Sequence, residues 1–228
     1  MDPNRKAWNE RQQDLRAALG RKGDAAMARA LFMQQHACVH AAAVGQGESA
    51  WSFADEVCAG LPEAAWRGQQ DGHSIAWLLW HSARIEDVTM NLLLADGAQV
   101  YSQQGWAARL GIAARDTGNA MPAEQVAQLS QQIDLAALCA YRDEVGRRTR
   151  AIVADTPAQQ FGQPVAGERL ERVTAEGALN SEAQAVLDYW GGLTYAGLLL
   201  MPPTRHNFIH LNEALRLRQK LLREHSRK

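Results

Sequence analysis

The 228-residue sequence predicts an all-α fold: a four-helix bundle with an extra N-terminal helix and a long connection between helices two and three. Three observations carry that expectation. Helix-forming residues run in blocks between glycine and proline signals, no stretch alternates apolar and polar residues long enough to build a sheet, and no internal repeat divides the chain. At 46% hydrophobic residues, the chain can bury one full-sized core.

Residues 1–20, MDPNRKAWNERQQDLRAALG, read as a polar, partly amphipathic helix closed by Gly20. This is a peripheral arm, so residues 1–23 are assigned to it and residues 24–228 to the bundle. From Asp24 to Val44 the chain is rich in Ala, Met, Leu and Gln, and GQGES ends helix one. Helix two takes Ser74 as its N-cap and stops at Asp96-Gly97. Between Ala98 and Pro122 the chain is broken by Gly105, Gly111, Gly118 and the turn-like DTGN, which predicts a long connection with short helical pieces. Any short strand pairing is expected there, and connections of this length often carry function. Asp134 caps helix three, which buries Leu135, Leu138, Val145, Ile152 and Val153 and ends before Pro157. Helix four, SEAQAVLDYWGGLTYAGLLLM, is interrupted at Gly191-Gly192. Pro202-Pro203 breaks it again, and Thr204 is expected to cap the last helix.

Lys and Arg number 24 against 25 Asp and Glu, a net charge of -1 with no basic block, so nucleic acid is not an expected partner. No apolar run approaches a membrane span, and the polar N-terminus lacks the apolar segment of a signal peptide. Cys38, Cys58 and Cys139 are far apart and form no C-x-x-C pair, which fits a reducing compartment. A cytoplasmic protein without membrane contact is the expectation.

The histidines carry the chemistry. Residues four apart on a helix lie about 6 Å along its axis and roughly 40° round it, close enough for both rings to reach one ion. His206 and His210 meet this condition and share a stripe with Leu217 and Leu221. On helix two, Trp77, His81, Val88 and Leu92 repeat the same spacings, so His81 also points inward. Spacing alone leaves two readings of this trio, an open three-ligand metal site or satisfied core histidines. His36 and His40 have the same spacing, but Leu31, Cys38 and Ala42 form a competing face nearly opposite. They read as pocket lining or surface rather than ligands.

The di-iron E-x-x-H pair, the zincin H-E-x-x-H, the G-x-S-x-G elbow and a glycine-rich phosphate loop are all missing from the sequence. Glu213 follows His210 by three and reads either as a carboxylate supporting that ring or as part of a solvated face. No catalytic base is legible.

The segments SIAWLLWHSARIED, LADGAQVYSQQGWAARLG, DTGNAMPAEQVAQLSQQIDLAALCAYRDEV and RHNFIHLNEALRLR, in this order, resemble the DinB-like (YfiT-like) four-helix-bundle superfamily of metalloproteins over roughly Asp24 to Leu222. The resemblance implies an up-down-down-up bundle and a divalent metal ion, nickel or zinc, held by His81, His206 and His210. It also implies a metal-dependent thiol S-transferase that uses a small-molecule substrate and a low-molecular-weight thiol, and a homodimer. The alternative is a non-catalytic stress-response or interaction bundle whose metal site is structural or vestigial.

Overall fold

The computed structural model describes residues 2–20 and 25–225, and the chain there is mostly helical. The Asp24 start expected for helix one lies outside the described residues. Helix α1 (Pro3–Leu19) begins under the Asp2 carboxylate, which accepts from the Asn4 and Arg5 amides. Helix α2 (Ala25–Val39) leads into three short helices, α3 (Ala42–Gly45), α4 (Phe53–Cys58) and α5 (Glu63–Arg67). Next comes a two-residue antiparallel pairing of Gln69–Gln70 with His73–Ser74, so the short pairing expected after Ala98 occurs here instead.

Helix α6 (Ile75–Asp87) starts where expected, with Ser74 Oγ accepting from the Trp77 amide at 3.0 Å. It continues as a π-helical stretch, Val88–Leu94, and the chain turns at Asp96 with φ +53°. Helix α7 (Trp106–Leu110) is the helical piece inside the long connection, followed by α8 (Ala123–Gln132). Asp134 Oδ1 accepts from the Ala137 amide at 2.7 Å and caps α9 (Leu135–Asp155). Helices α10 (Gly167–Ala175), α11 (Gln184–Gly191), α12 (Tyr195–Leu200) and α13 (Asn207–His225) complete the chain.

Two expectations are corrected. Helix α1 is not peripheral: Trp8 and Leu15 are fully buried, Trp8 stacks on Phe208 at 3.8 Å, and Gln12 reaches the Leu200 carbonyl and the Thr204 hydroxyl. A polar helix hides this because only one narrow stripe of it faces the core. Nor does Pro202-Pro203 break the chain before a Thr204 cap. Residues Met201–His206 form a π-helical stretch that joins α12 to α13. Proline removes backbone donors, and side chains replace them: Thr204 Oγ1 donates to the Leu199 carbonyl at 2.9 Å, Gln12 to Leu200 at 3.0 Å, and Asn207 to Pro202 at 3.2 Å. Thr204 therefore stitches the turn rather than starting the helix.

The buried apolar residues fall into two clusters, one around Trp8, Trp77, Trp80, Tyr141 and Phe208, the other around Phe32, Leu92, Val153, Trp190 and Leu198. Helix α6 passes from the first to the second between Ala83 and Ile85, and its buried polar residues His81, Arg84, Glu86 and Asp87 lie about that crossing. His36 on α2 falls between Phe32 and Cys38 in the same way, Thr149 on α9 between Val145 and Ile152, and Thr204 to Asn207 between Leu199 and Phe208. A polar belt thus crosses the core at one level on four helical segments. No helix among the described residues is long and apolar enough to cross a membrane.

Candidate metal centre

The belt brings His81 of α6 together with His206, which ends the π-helical stretch, and His210 in the first turn of α13. One ring nitrogen of each lies within 4.8 Å of those of the others. The ring centroids of His206 and His210 are 4.5 Å apart, and each lies 5.1 Å from that of His81.

The outer nitrogens set the tautomers. His81 Nδ1 lies 2.5 Å from the Thr117 carbonyl oxygen, which can only accept, so Nδ1 carries the proton and Nε2 keeps its lone pair. His210 Nδ1 donates to the Glu213 carboxylate at 3.1 Å, leaving its Nε2 free in the same way. That Nε2 lies 3.2 Å from His206 Nε2. With the His210 proton on Nδ1, His206 Nε2–H is the donor in that contact; His206 Nδ1 is buried without a partner, so moving the proton there frees the Nε2 lone pair and gives up this one bond. Burial, helped by the neighbouring His210, pushes the His81 pKa down to about 3, and burial also holds His206 well below the ordinary histidine range. Both rings are neutral at neutral pH, as ligation requires. The donor set fits a divalent ion that prefers nitrogen.

The long connection proves to be part of this centre. Thr117 reaches His81 because Gly118 turns at φ +81°, with its α-carbon so close to Trp80 that a Cβ would lie 2.6 Å from the ring. His73, which shares no apolar helical stripe in the sequence, lies 2.7 Å from the far oxygen of Glu213. It also stacks on Trp77 at 4.4 Å, and Trp77 stacks on His81 at 4.8 Å. Hydrogen bonds from His210 and then His73 hold the Glu213 pKa down to about 2 against its partial burial. Glu213 therefore supports the His210 ring and is not simply a solvated face.

His36 and His40 are not at the surface. They are 0% and 1% exposed, stack at 4.3 Å, and each donates Nε2–H to a different oxygen of Glu86 at 2.9 Å. Glu86 was missed because it follows neither an E-x-x-H pattern nor the His81 stripe. Its only sequence signal is a carboxylate in a segment otherwise dominated by apolar residues.

No curated protein matches this chain. The family model of the DinB superfamily matches residues 46–181, a span that contains His81 and Glu86 but ends before His206 and His210. That span is more than half of the sequence, and the chain belongs to the DinB superfamily.

Proposed function

We propose that His81, His206 and His210 hold a divalent metal ion, nickel or zinc, in a cytoplasmic thiol S-transferase that acts on a small molecule with a low-molecular-weight thiol. The observation that carries this reading is the convergence of three imidazoles, two with their Nε2 lone pairs fixed by Thr117 and Glu213. When bound, the ion would lower the pKa of a thiol or water in its remaining position. The residues around it have separate tasks. Neutral ligands leave the charge of the ion undiminished, Trp77 walls the His81 side, and Glu213, already ionised, keeps the His210 proton on Nδ1. The burial of His81, only 4% exposed, favours the second reading, a non-catalytic bundle with a structural site.

The up-down-down-up order belongs to the same proposal. Its support is the order of the two apolar clusters along the chain: second then first on α2, first then second on α6 and α9, and second then first from α12 to α13.

Elemental analysis of full-length protein without an affinity tag tests the ligands, and metal at this centre should be lost in His81→Ala and His210→Ala. Cobalt-loaded protein tests the chemistry. A sulfur-to-metal charge-transfer band on adding glutathione, bacillithiol, mycothiol or cysteine is expected, and no response to any of them would favour the non-catalytic bundle.

A further inference from the structure

We propose that His36, His40 and Glu86 form a second divalent-cation site, with two imidazole nitrogens and a carboxylate as donors, enclosed in the same polar belt. It shares no ligand with the three-histidine centre and does not rest on it.

One nitrogen from each histidine and one oxygen of Glu86 lie within 4.8 Å of one another. Donors around a zinc-sized ion at about 2.0–2.2 Å stand roughly 3–3.5 Å apart. The two Nε2-to-oxygen distances, both 2.9 Å, are already close to that separation, so a small outward shift would make room for an ion. The H-x-x-x-H spacing at the end of α2, with His36 in its last turn and His40 just beyond it, brings both nitrogens to Glu86, as His206 and His210 are brought together across the junction of the π-helical stretch with α13. His40 fits because Gly146 replaces a side chain in the middle of α9: a Cβ there would lie 2.7 Å from His40 Nδ1.

Charge points the same way. Glu86 is fully buried, and its contacts are the two imidazoles and the Asn207 amide at 2.8 Å. Among the described residues, no lysine or arginine touches it. Arg150, whose charge acts on His36, spends its hydrogen bonds on the Met33 carbonyl and Glu48. A buried carboxylate with no permanent cation beside it is costly. Burial and the neighbouring His40 push the His36 pKa down to about 4, so a proton on that ring does not supply the missing charge at neutral pH.

The tautomers permit the exchange. Nε2 protons now serve only Glu86, and Nδ1 of both rings is buried without a partner. Moving each proton to Nδ1 frees both Nε2 lone pairs and breaks no other bond, and the carboxylate exchanges two N–H contacts for the cation. Asn207, whose Oδ1 is also buried and unpartnered, completes the polar surroundings. An ion of the zinc class suits this mixed nitrogen and oxygen set. Because the site is closed, it would be filled as the chain folds and would release its ion slowly to a chelator.

The test is zinc content of full-length, untagged protein folded in the presence of zinc and then dialysed. Two zinc ions per chain are expected in the wild type and one in His36→Gln, His40→Gln, Glu86→Gln or His210→Ala. His210→Ala leaves the proposed site intact and does not depend on the folding of the core variants. Its remaining zinc should show a mixed imidazole and oxygen shell by X-ray absorption. A His210→Ala protein without zinc overturns the second site while leaving the three-histidine centre in place. Two zinc ions retained by folded Glu86→Gln overturn it as well. A wild type with one zinc that His210→Ala keeps and His40→Gln loses supports this site and overturns the three-histidine centre.

Discussion

Glu86 and Asp87 are neighbours on one helix, both carboxylates and both fully buried, yet their surroundings differ in kind. Asp87 accepts from the Arg84 guanidinium at 3.0 Å, the Tyr141 hydroxyl at 2.6 Å, the Asn91 amide at 2.9 Å and the backbone amides of Val100 and Tyr101 at 2.8 and 2.9 Å. Its charge is balanced by a permanent cation, and the backbone it holds is the start of the long connection. Arg84 extends the same tie, donating to Gln99 and to the Arg115 carbonyl and lying over the Tyr101 ring at 4.2 Å. Glu86 meets two imidazoles and an amide, none of them a permanent cation. One carboxylate is finished as a structural joint, while the other is left with a charge for something else to answer.

The largest effect expected from this contrast is on stability. Asp87→Ala strands a fully buried arginine and releases two backbone amides, and breaking a buried pair in this way costs about 3–5 kcal/mol. Glu86→Gln keeps the shape and removes a charge that has no permanent cation beside it, so it should cost only about 1–3 kcal/mol. Urea unfolding of chelator-treated protein ranks the two. A Glu86→Gln variant that unfolds as readily as Asp87→Ala would show that a permanent counter-charge does not separate the two carboxylates.

Acid should find the histidine side of the belt first. His36 is held neutral in the fold down to about pH 4 and His81 down to about pH 3, both from an ordinary value of 6.5. The unfolded chain therefore binds protons that the folded chain refuses. Stability should fall as pH drops from 6.5 towards these values, by about 1.4 kcal/mol per pH unit for each group where it titrates fully. Glu86 has the same sign but acts lower: His40 and His36, hydrogen-bonded to it, hold its folded pKa down against its burial, so its contribution is present above 4.5 and lost as pH falls through the folded value. Unfolding free energies of metal-free protein between pH 7 and 4.5 check this. His36→Gln should flatten the slope, and a wild-type curve already flat over that range would contradict the neutral, buried histidines.

What could be read from the sequence follows from periodicity. The caps at Ser74 and Asp134, the stop at Asp96 and the burial of Leu138, Val145 and Val153 were legible because each depends on local chain chemistry. His81, His206 and His210 stood out because their stripes continue into apolar positions. Glu86 did not, since a helix buried all round has no stripe against which a polar residue can be judged. The π-helical joint at Pro202 was hidden for a different reason: Gln12, nearly two hundred residues away, supplies one of the hydrogen bonds that keep the chain helical there.

A smaller effect should separate the three-histidine cluster from the connection that supports it. Gly118→Ala meets both a positive φ and the Trp80 ring, whereas Gly47→Ala meets a similar φ of +83° with nothing within 4 Å. The strain common to both is about 1–3 kcal/mol. Only Gly118→Ala should also shift Thr117 from His81, and loss of such support typically lowers metal affinity 10- to 100-fold. Competition with a chromophoric chelator gives the two affinities. Equal affinities would mean that the Thr117 carbonyl does not orient the His81 ring.

The smallest effect is expected at His73, where the same type of contact meets solvent. Its bond to Glu213 is short, but the two side chains are 36% and 34% exposed, against 0% for Glu86 and Asp87. Water screens a pair in that position, so His73→Ala should cost less than about 1 kcal/mol. The change should appear in titration instead. With one of its two hydrogen-bond donors gone, the Glu213 carboxyl should titrate higher than about 2 yet stay below an ordinary glutamate, because His210 supplies the larger share of the shift. Carboxyl-detected NMR on metal-free protein follows that titration directly, and loss of the His73 ring from Trp77 should alter tryptophan emission in the same sample. A loss of stability comparable to that of Asp87→Ala would show that exposure does not divide the carboxylates of this chain as burial and counter-charge imply.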